Sequence, residues 1–218
     1  MVRQVLLLCG LLSSLFYVAT DVAASWQYEG YSYVDQNYSE LLATGAPTRF
    51  FLLVVSAAYN LLVATFAVGV FTSARPKRTA RITGMMMALY ASLSMITPLF
   101  FQMDMREAEA TPRGSLHGAM TAVMSLFILL SIGFGAFLSG RWFRLYSFAT
   151  LALVVTFGVL TGLQVPELEA GHSTPWMGLK ERINIYATML WFGLLSILLL
   201  RTQARGSRGN LGARRDFE

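Results

Sequence analysis

A single cysteine, Cys9, rules out any disulfide within the chain. Two histidines, His117 and His172, are too few for a three-histidine zinc centre. Met85, Met86 and Met87 are consecutive and leave a helix in different directions, so they read as packing side chains and not as a soft-metal site. No H-E-x-x-H, no G-x-S-x-G elbow and no phosphate-binding glycine loop occurs, which leaves the common hydrolase and nucleotide chemistries without a signature. No metal and no cofactor is expected. Charge is scarce as well: Asp, Glu, Lys and Arg make up 13% of the chain, against about 25% in soluble domains.

What remains is apolar. Hydrophobic residues make up 55% of the sequence, and the mean hydropathy is +0.54. Six runs are long enough to cross a hydrocarbon core, which takes about 20 residues per helix. They cover roughly 4–24, 48–72, 82–102, 118–139, 143–163 and 182–200. The connections are short and no internal repeat is visible, so the expectation is one all-α, six-helix integral membrane bundle over residues 1–201. Residues 202–218, with Gly206, Gly209 and Gly212 among arginines and no apolar periodicity, read as a disordered basic tail.

The few charges are sorted between alternate gaps. Arg3, Arg75, Lys77, Arg78, Arg81, Arg141, Arg144, Arg201, Arg205, Arg208, Arg214 and Arg215 fall at the two ends or in one set of gaps. Asp21, Glu29, Asp35, Glu40, Asp104, Glu107, Glu109, Glu167, Glu169 and Glu181 fall in or beside the other set. Short loops rich in Lys and Arg stay cytoplasmic, which places both termini inside and the longer acidic loops outside, in a plasma (bacterial inner) membrane. The net charge of +5 then follows from topology and from attraction to an anionic inner leaflet. It does not point to nucleic acid.

Arg3, the first apolar run and Val22-Ala23-Ala24 have the outline of a secretory signal. The run is longer than the ~7 to 15 residues of a signal core, so it reads as a first spanning helix that is retained. The segment 25–47 carries Trp26, Tyr28, Tyr31, Tyr33 and Tyr38. Such rings favour the headgroup region, and a surface-resting segment is the simpler reading; a lid over an outward-opening cavity is the other. Asn37-Tyr38-Ser39 is formally a glycosylation sequon.

Polar residues inside the spans recur at helical spacing and mark inward faces. Gly10, Ser14, Tyr17 and Asp21 share one face of the first run, and Ser56 and Asn60 one face of the second. His117, Thr121 and Ser125 do so in the fourth, and Glu181, Asn184 and Thr188 in the sixth. Interhelical packing accounts for the hydroxyl and small residues. Asp21, Asn60, His117 and Glu181 need partners when buried, and they are the candidate ligand contacts. Arg182 can anchor a helix end by pairing with Glu181 or with a neighbouring helix.

Three segments carry a family likeness: Ser39-Glu40-Leu41-Leu42-Ala43-Thr44-Gly45-Ala46-Pro47 entering the second run, His117-Gly118 opening the fourth, and Gly178-Leu179-Lys180-Glu181-Arg182-Ile183 entering the sixth. With the six-span layout they resemble the bacterial and archaeal membrane family of domain of unknown function 998, over about residues 4 to 200. The likeness implies fold and membrane location and assigns no catalytic role. It draws attention to His117, Glu181 and Arg182 as positions.

The sequence therefore predicts a bundle with a cavity open to the outer face that binds a lipid or other amphipathic small molecule through Asp21, Asn60, His117, Glu181 and Arg182. The alternative is an intramembrane enzyme acting on a lipid-like substrate, with His117 as acid or base and Glu181 or Asp21 orienting it. A third reading is an assembly or regulatory subunit, which would show an apolar seam and no cavity. Oligomeric state is not legible.

Overall fold

The computed structural model describes residues 2–73, 77–106, 108–109 and 111–215, with side chains described to Ala204. Arg75 and Glu107 of the sorted charges lie outside the described residues, as do the side chains of Lys77 and of the arginines beyond Arg201. Seven α-helices follow one another among the described residues: α1 (Val2–Gln27), α2 (Arg49–Phe71), α3 (Lys77–Phe100), α4 (Pro112–Gly135), α5 (Arg141–Gly162), the short α6 (Val165–Glu169) and α7 (Met177–Arg215). A 3-10 turn (Tyr38–Leu42) lies between α1 and α2, and no strand occurs among the described residues. All helices except α6 contain a stretch long and apolar enough to cross a membrane. The fold is an all-α integral membrane bundle.

Helix limits depart from the hydropathy limits where capping chemistry decides. α4 starts at Pro112, ahead of the expected residue 118, because the Thr111 side chain accepts a hydrogen bond from the Gly114 amide at 3.2 Å. Proline at the first helical position needs no amide partner there. The backbone of α7 continues as helix past residue 201 to Arg215. An already formed span supplies the nucleus, so extending it carries no nucleation cost.

The spanning helices close into a ring: α1 packs on α2, α2 on α3, α3 on α4, α4 on α5, α5 on α7 and α7 on α1. Between lipid-exposed helices there is little hydrophobic driving force, so close packing and interhelical hydrogen bonds hold such a ring together. α3 lies against α2 at Gly84, where a Cβ would stand 2.6 Å from the Ala67 carbonyl oxygen and 2.7 Å from the Phe71 amide nitrogen. Two hydroxyls join α1 and α7 within the bundle, that of Ser14 donating to the Met189 carbonyl and that of Ser196 to the Leu7 carbonyl, both at 2.7 Å. Each such bond contributes roughly 0.6 kcal/mol in a bilayer. Trp191 fills the centre, stacked on Phe143, with its indole N–H donating to the Ser147 hydroxyl at 2.9 Å. α4 and α5 touch over the shortest stretch of any neighbouring pair, and the ring is loosest there.

Candidate functional site

The loops of the acidic end fold into a cap. Arg106 reaches from the α3–α4 loop to Glu40, donating from Nε at 2.7 Å and from Nη2 at 3.0 Å. Its Nη2 also donates to the Thr174 hydroxyl at 2.7 Å and the Asp35 carbonyl at 3.2 Å, so one guanidinium ties three loops together. The Leu179 amide donates to the Val34 carbonyl, and the Thr44 amide to the Met103 carbonyl. Asp35 accepts the Trp176 amide at 2.9 Å and the Ser32 hydroxyl at 2.8 Å. These donors, the Trp176 amide first, hold the Asp35 carboxyl below its usual range. Gly178 lets the cap come down on α7: a Cβ there would collide with the Gln36 carbonyl oxygen.

Within the cap sits a saturated ion pair. Arg182 is 1% exposed and meets Asp21 through Nε–Oδ2 and Nη2–Oδ1, each 2.9 Å. Its remaining hydrogens go to the Tyr33 and Gln36 carbonyls at 2.8 and 3.0 Å and to the Tyr31 hydroxyl at 2.8 Å. Five donors are all the guanidinium has. Its carbon lies 3.7 Å from the centre of the Tyr33 ring. Asp21 also accepts the Tyr186 hydroxyl at 2.6 Å. Burial raises the phenol pKa of Tyr31, Tyr33 and Tyr38, which keeps these three rings neutral and able to donate. The aromatic segment is therefore folded inward around Arg182, while Trp26 stays 86% exposed. Asn37 of the sequon is buried within the same cap.

Beneath the cap lies a two-lobed cavity. The larger lobe, about 530 Å³, runs between α4, α5 and the start of α7. The smaller, about 220 Å³, extends toward α2 and α3. Ser39, Met103, His117, Thr121, Ser125, Val154, Glu181 and Asn184 line both. The walls of the larger lobe are mainly aliphatic, among them Leu126, Leu129, Val155, Val159 and Leu168. Gly118 and Gly162 line it beside open space, since a Cβ at either would meet nothing within 4 Å. The volume falls within the about 300–1,000 Å³ of small-molecule sites.

The polar residues singled out by spacing divide into two groups here. Glu181, His117 and Asn60 face the cavity; Asp21 and Arg182 face each other and do not line it. Arg182 pairs with Asp21 and not with its chain neighbour Glu181, because consecutive helical side chains diverge. Glu181 accepts the Tyr38 amide at 2.5 Å and the Ser39 hydroxyl at 3.5 Å, and it makes no ion pair among the described residues. His117 Nδ1 lies 2.9 Å from the Phe101 carbonyl oxygen. A carbonyl only accepts, so Nδ1 carries the hydrogen and the neutral ring offers Nε2 as an acceptor. No carboxylate hydrogen-bonds His117 among the described residues, so the acid–base alternative lacks its orienting group. Asn60 donates through Nδ2 to the Ser56 carbonyl at 2.9 Å, while its Oδ1 is buried without a partner. No three His, Cys, Asp or Glu side chains converge among the described residues.

Sequence reasoning singled out Arg182 as a helix-end anchor and missed the cap's other fasteners, Arg49 and Arg106. Arg49, Arg106 and Arg182 lie outside the set of basic residues at the two ends and in the basic gaps, and each is a clasp. Arg49 donates to the Leu42 carbonyl at 2.5 Å and to the Pro98 carbonyl at 2.9 Å. A lone arginine among acidic loops was the signal available, since it stands against the charge sorting and calls for a local partner.

No curated protein and no solved structure matches the chain. A family model described as a protein of unknown function (DUF998) matches residues 11–198. The match takes in the middle four membrane-crossing helices, most of the first and last, and both lobes of the cavity, and the chain belongs to that family of membrane proteins of unknown function.

Proposed function

We propose that this protein binds an amphipathic, lipid-like molecule in the cavity beneath the cap, with an apolar chain between α4 and α5 and a polar head at Glu181. One observation carries the reading. Glu181 faces an aliphatic-walled cavity of about 530 Å³ and has no ion-pair partner among the described residues. A carboxylate in low-dielectric surroundings is costly unless something completes its shell, and intramembrane ionisable residues facing a cavity are functional by default. The short α4–α5 contact supports lateral entry of a chain from the bilayer. The saturated Asp21–Arg182 pair is assigned to holding the cap, not the ligand. By the positive-charge rule the acidic end faces outward and both termini are cytoplasmic, so the ligand is drawn from the outer leaflet of the plasma membrane or from beyond it.

The test is mass spectrometry of molecules that copurify with the detergent-solubilised protein, for the wild type and for Gly118→Leu. Position 118 has free space around it, so the substitution fills the cavity and leaves Glu181 in place. The expected result is an amphiphile enriched over bulk lipid in the wild type and lost in the variant. The same lipid profile in both would refute the reading.

A further inference from the structure

We infer that the head group held in this cavity is a protonated primary amine. The inference rests on the amphiphile-binding reading and adds a sign of charge to it. The cavity wall presents hydrogen-bond acceptors at Glu181, Asn60 and His117. Glu181 contributes a carboxylate whose two donors, Tyr38 and Ser39, both belong to the cap. Asn60, 1% exposed, lines the smaller lobe and has an orphan Oδ1. That orientation of the amide is forced, because the Ser56 carbonyl can only accept and so faces the nitrogen. His117 contributes Nε2, since Nδ1–H is held by the Phe101 carbonyl.

Four of the lining hydroxyls already donate elsewhere. Ser125 donates to the Thr121 carbonyl, Thr161 to that of Phe157, Thr97 to that of Leu93 and Thr188 to that of Asn184. Asn184 donates its amide hydrogen to the Val154 carbonyl. A ligand that completes Glu181, Asn60 and His117 brings its own hydrogens.

The charges agree. Asp104, Glu169 and Glu181 line the larger lobe, and its one cationic side chain, Arg106, is neutralised by Glu40. An anionic head would meet no free cation among the lining residues. A quaternary ammonium would satisfy Glu181 but offer no hydrogen to Asn60 or His117. A primary ammonium supplies one positive charge and three donors.

The experiment titrates full-length protein in a neutral detergent with dodecylammonium, dodecanol, dodecyl sulfate and butylammonium, reading binding by calorimetry. It is repeated with Glu181→Gln, Asn60→Leu and Gly118→Leu, each checked for a wild-type circular dichroism spectrum. Saturable dodecylammonium binding is expected, at least about ten-fold tighter than dodecanol or dodecyl sulfate and weakened about ten-fold by Glu181→Gln, the size of one lost charge-assisted contact. Asn60→Leu should weaken it less, and butylammonium should bind poorly because it lacks the chain. If dodecanol or dodecyl sulfate binds as tightly and only Gly118→Leu abolishes binding, the amphiphile site stands and the amine inference falls. If butylammonium equals dodecylammonium, the site takes a soluble amine and the lipid-like reading falls. If Gly118→Leu leaves dodecylammonium binding intact, the cavity is not the site and both fall.

Discussion

Arg182 and Asp21 are 161 positions apart in the chain and meet along two edges of the guanidinium, at 2.9 Å each, with both side chains 1% exposed. The pair joins α7 to α1 and, through the Tyr33 and Gln36 carbonyls, fixes the cap above them. Removing one member of such a pair strands a buried charge, at a cost of about 3–5 kcal/mol. Asp21→Ala and Arg182→Ala should each lower the melting temperature of the solubilised protein by several degrees. Arg182→Lys should not restore it, because an ammonium has neither the planar fork nor the face that stacks on Tyr33. The double variant Asp21→Leu with Arg182→Met should be less destabilised than the sum of the single changes. A wild-type melting temperature in either alanine variant would contradict this account.

Glycines 84 and 118 should respond oppositely to alanine. At Gly84 the added Cβ meets backbone atoms of α2, which cannot rotate away, and overpacking of this kind costs about 1–3 kcal/mol. At Gly118 nothing stands within 4 Å, so Gly118→Ala should leave stability within about 0.5 kcal/mol of wild type, the usual range for changes that touch nothing. Thermal melts of both variants check this. Equal losses at the two positions would mean that the cavity closes over Gly118 in solution.

The two kinds of signal in the sequence differ in what they encode. An apolar run records its own length, so six spans could be read directly. A polar stripe records its own helix face, so His117-Thr121-Ser125 and Glu181-Asn184-Thr188 could be assigned inward, and all six line the smaller lobe. Pairing is different, because it depends on how helices are arranged around the ring, and one sequence holds no record of that. Asp21 and Glu181 therefore looked equivalent, two acidic residues at helix ends on the same side. The structure gives one of them an arginine and leaves the other facing a cavity. Helix starts were displaced for a simpler reason. Hydropathy does not register a capping threonine such as Thr111 or the proline after it.

The cap should carry a pH signature through Asp35. Its carboxyl is held below the ordinary value by the Trp176 amide and the Ser32 hydroxyl. A depressed folded-state pKa means that the contribution to stability is complete above the unfolded value, about 3.9, and is lost as pH falls through the folded one. Asp35→Asn mimics the protonated side chain. The difference in melting temperature between wild type and Asp35→Asn should be constant at neutral and mildly acidic pH and shrink toward zero below about pH 4. A difference unchanged at the acid end would show that the carboxylate charge is not what holds Trp176.

Orientation of the bundle can be tested by labelling single cysteines with a membrane-impermeant thiol reagent. The native Cys9 is buried in α1, and Cys9→Ser gives a background without thiols. Glu29 and Arg141 are both exposed and lie at opposite ends of the ring, the first after α1 and the second at the start of α5. If Lys and Arg mark the cytoplasmic side, Glu29→Cys should react in intact cells and Arg141→Cys only after the membrane is opened. The reverse pattern would put the cavity on the cytoplasmic side. The ligand would then have to be sought in the inner leaflet, where anionic lipids surround the entrance and a cationic amphiphile would be enriched by the surface potential.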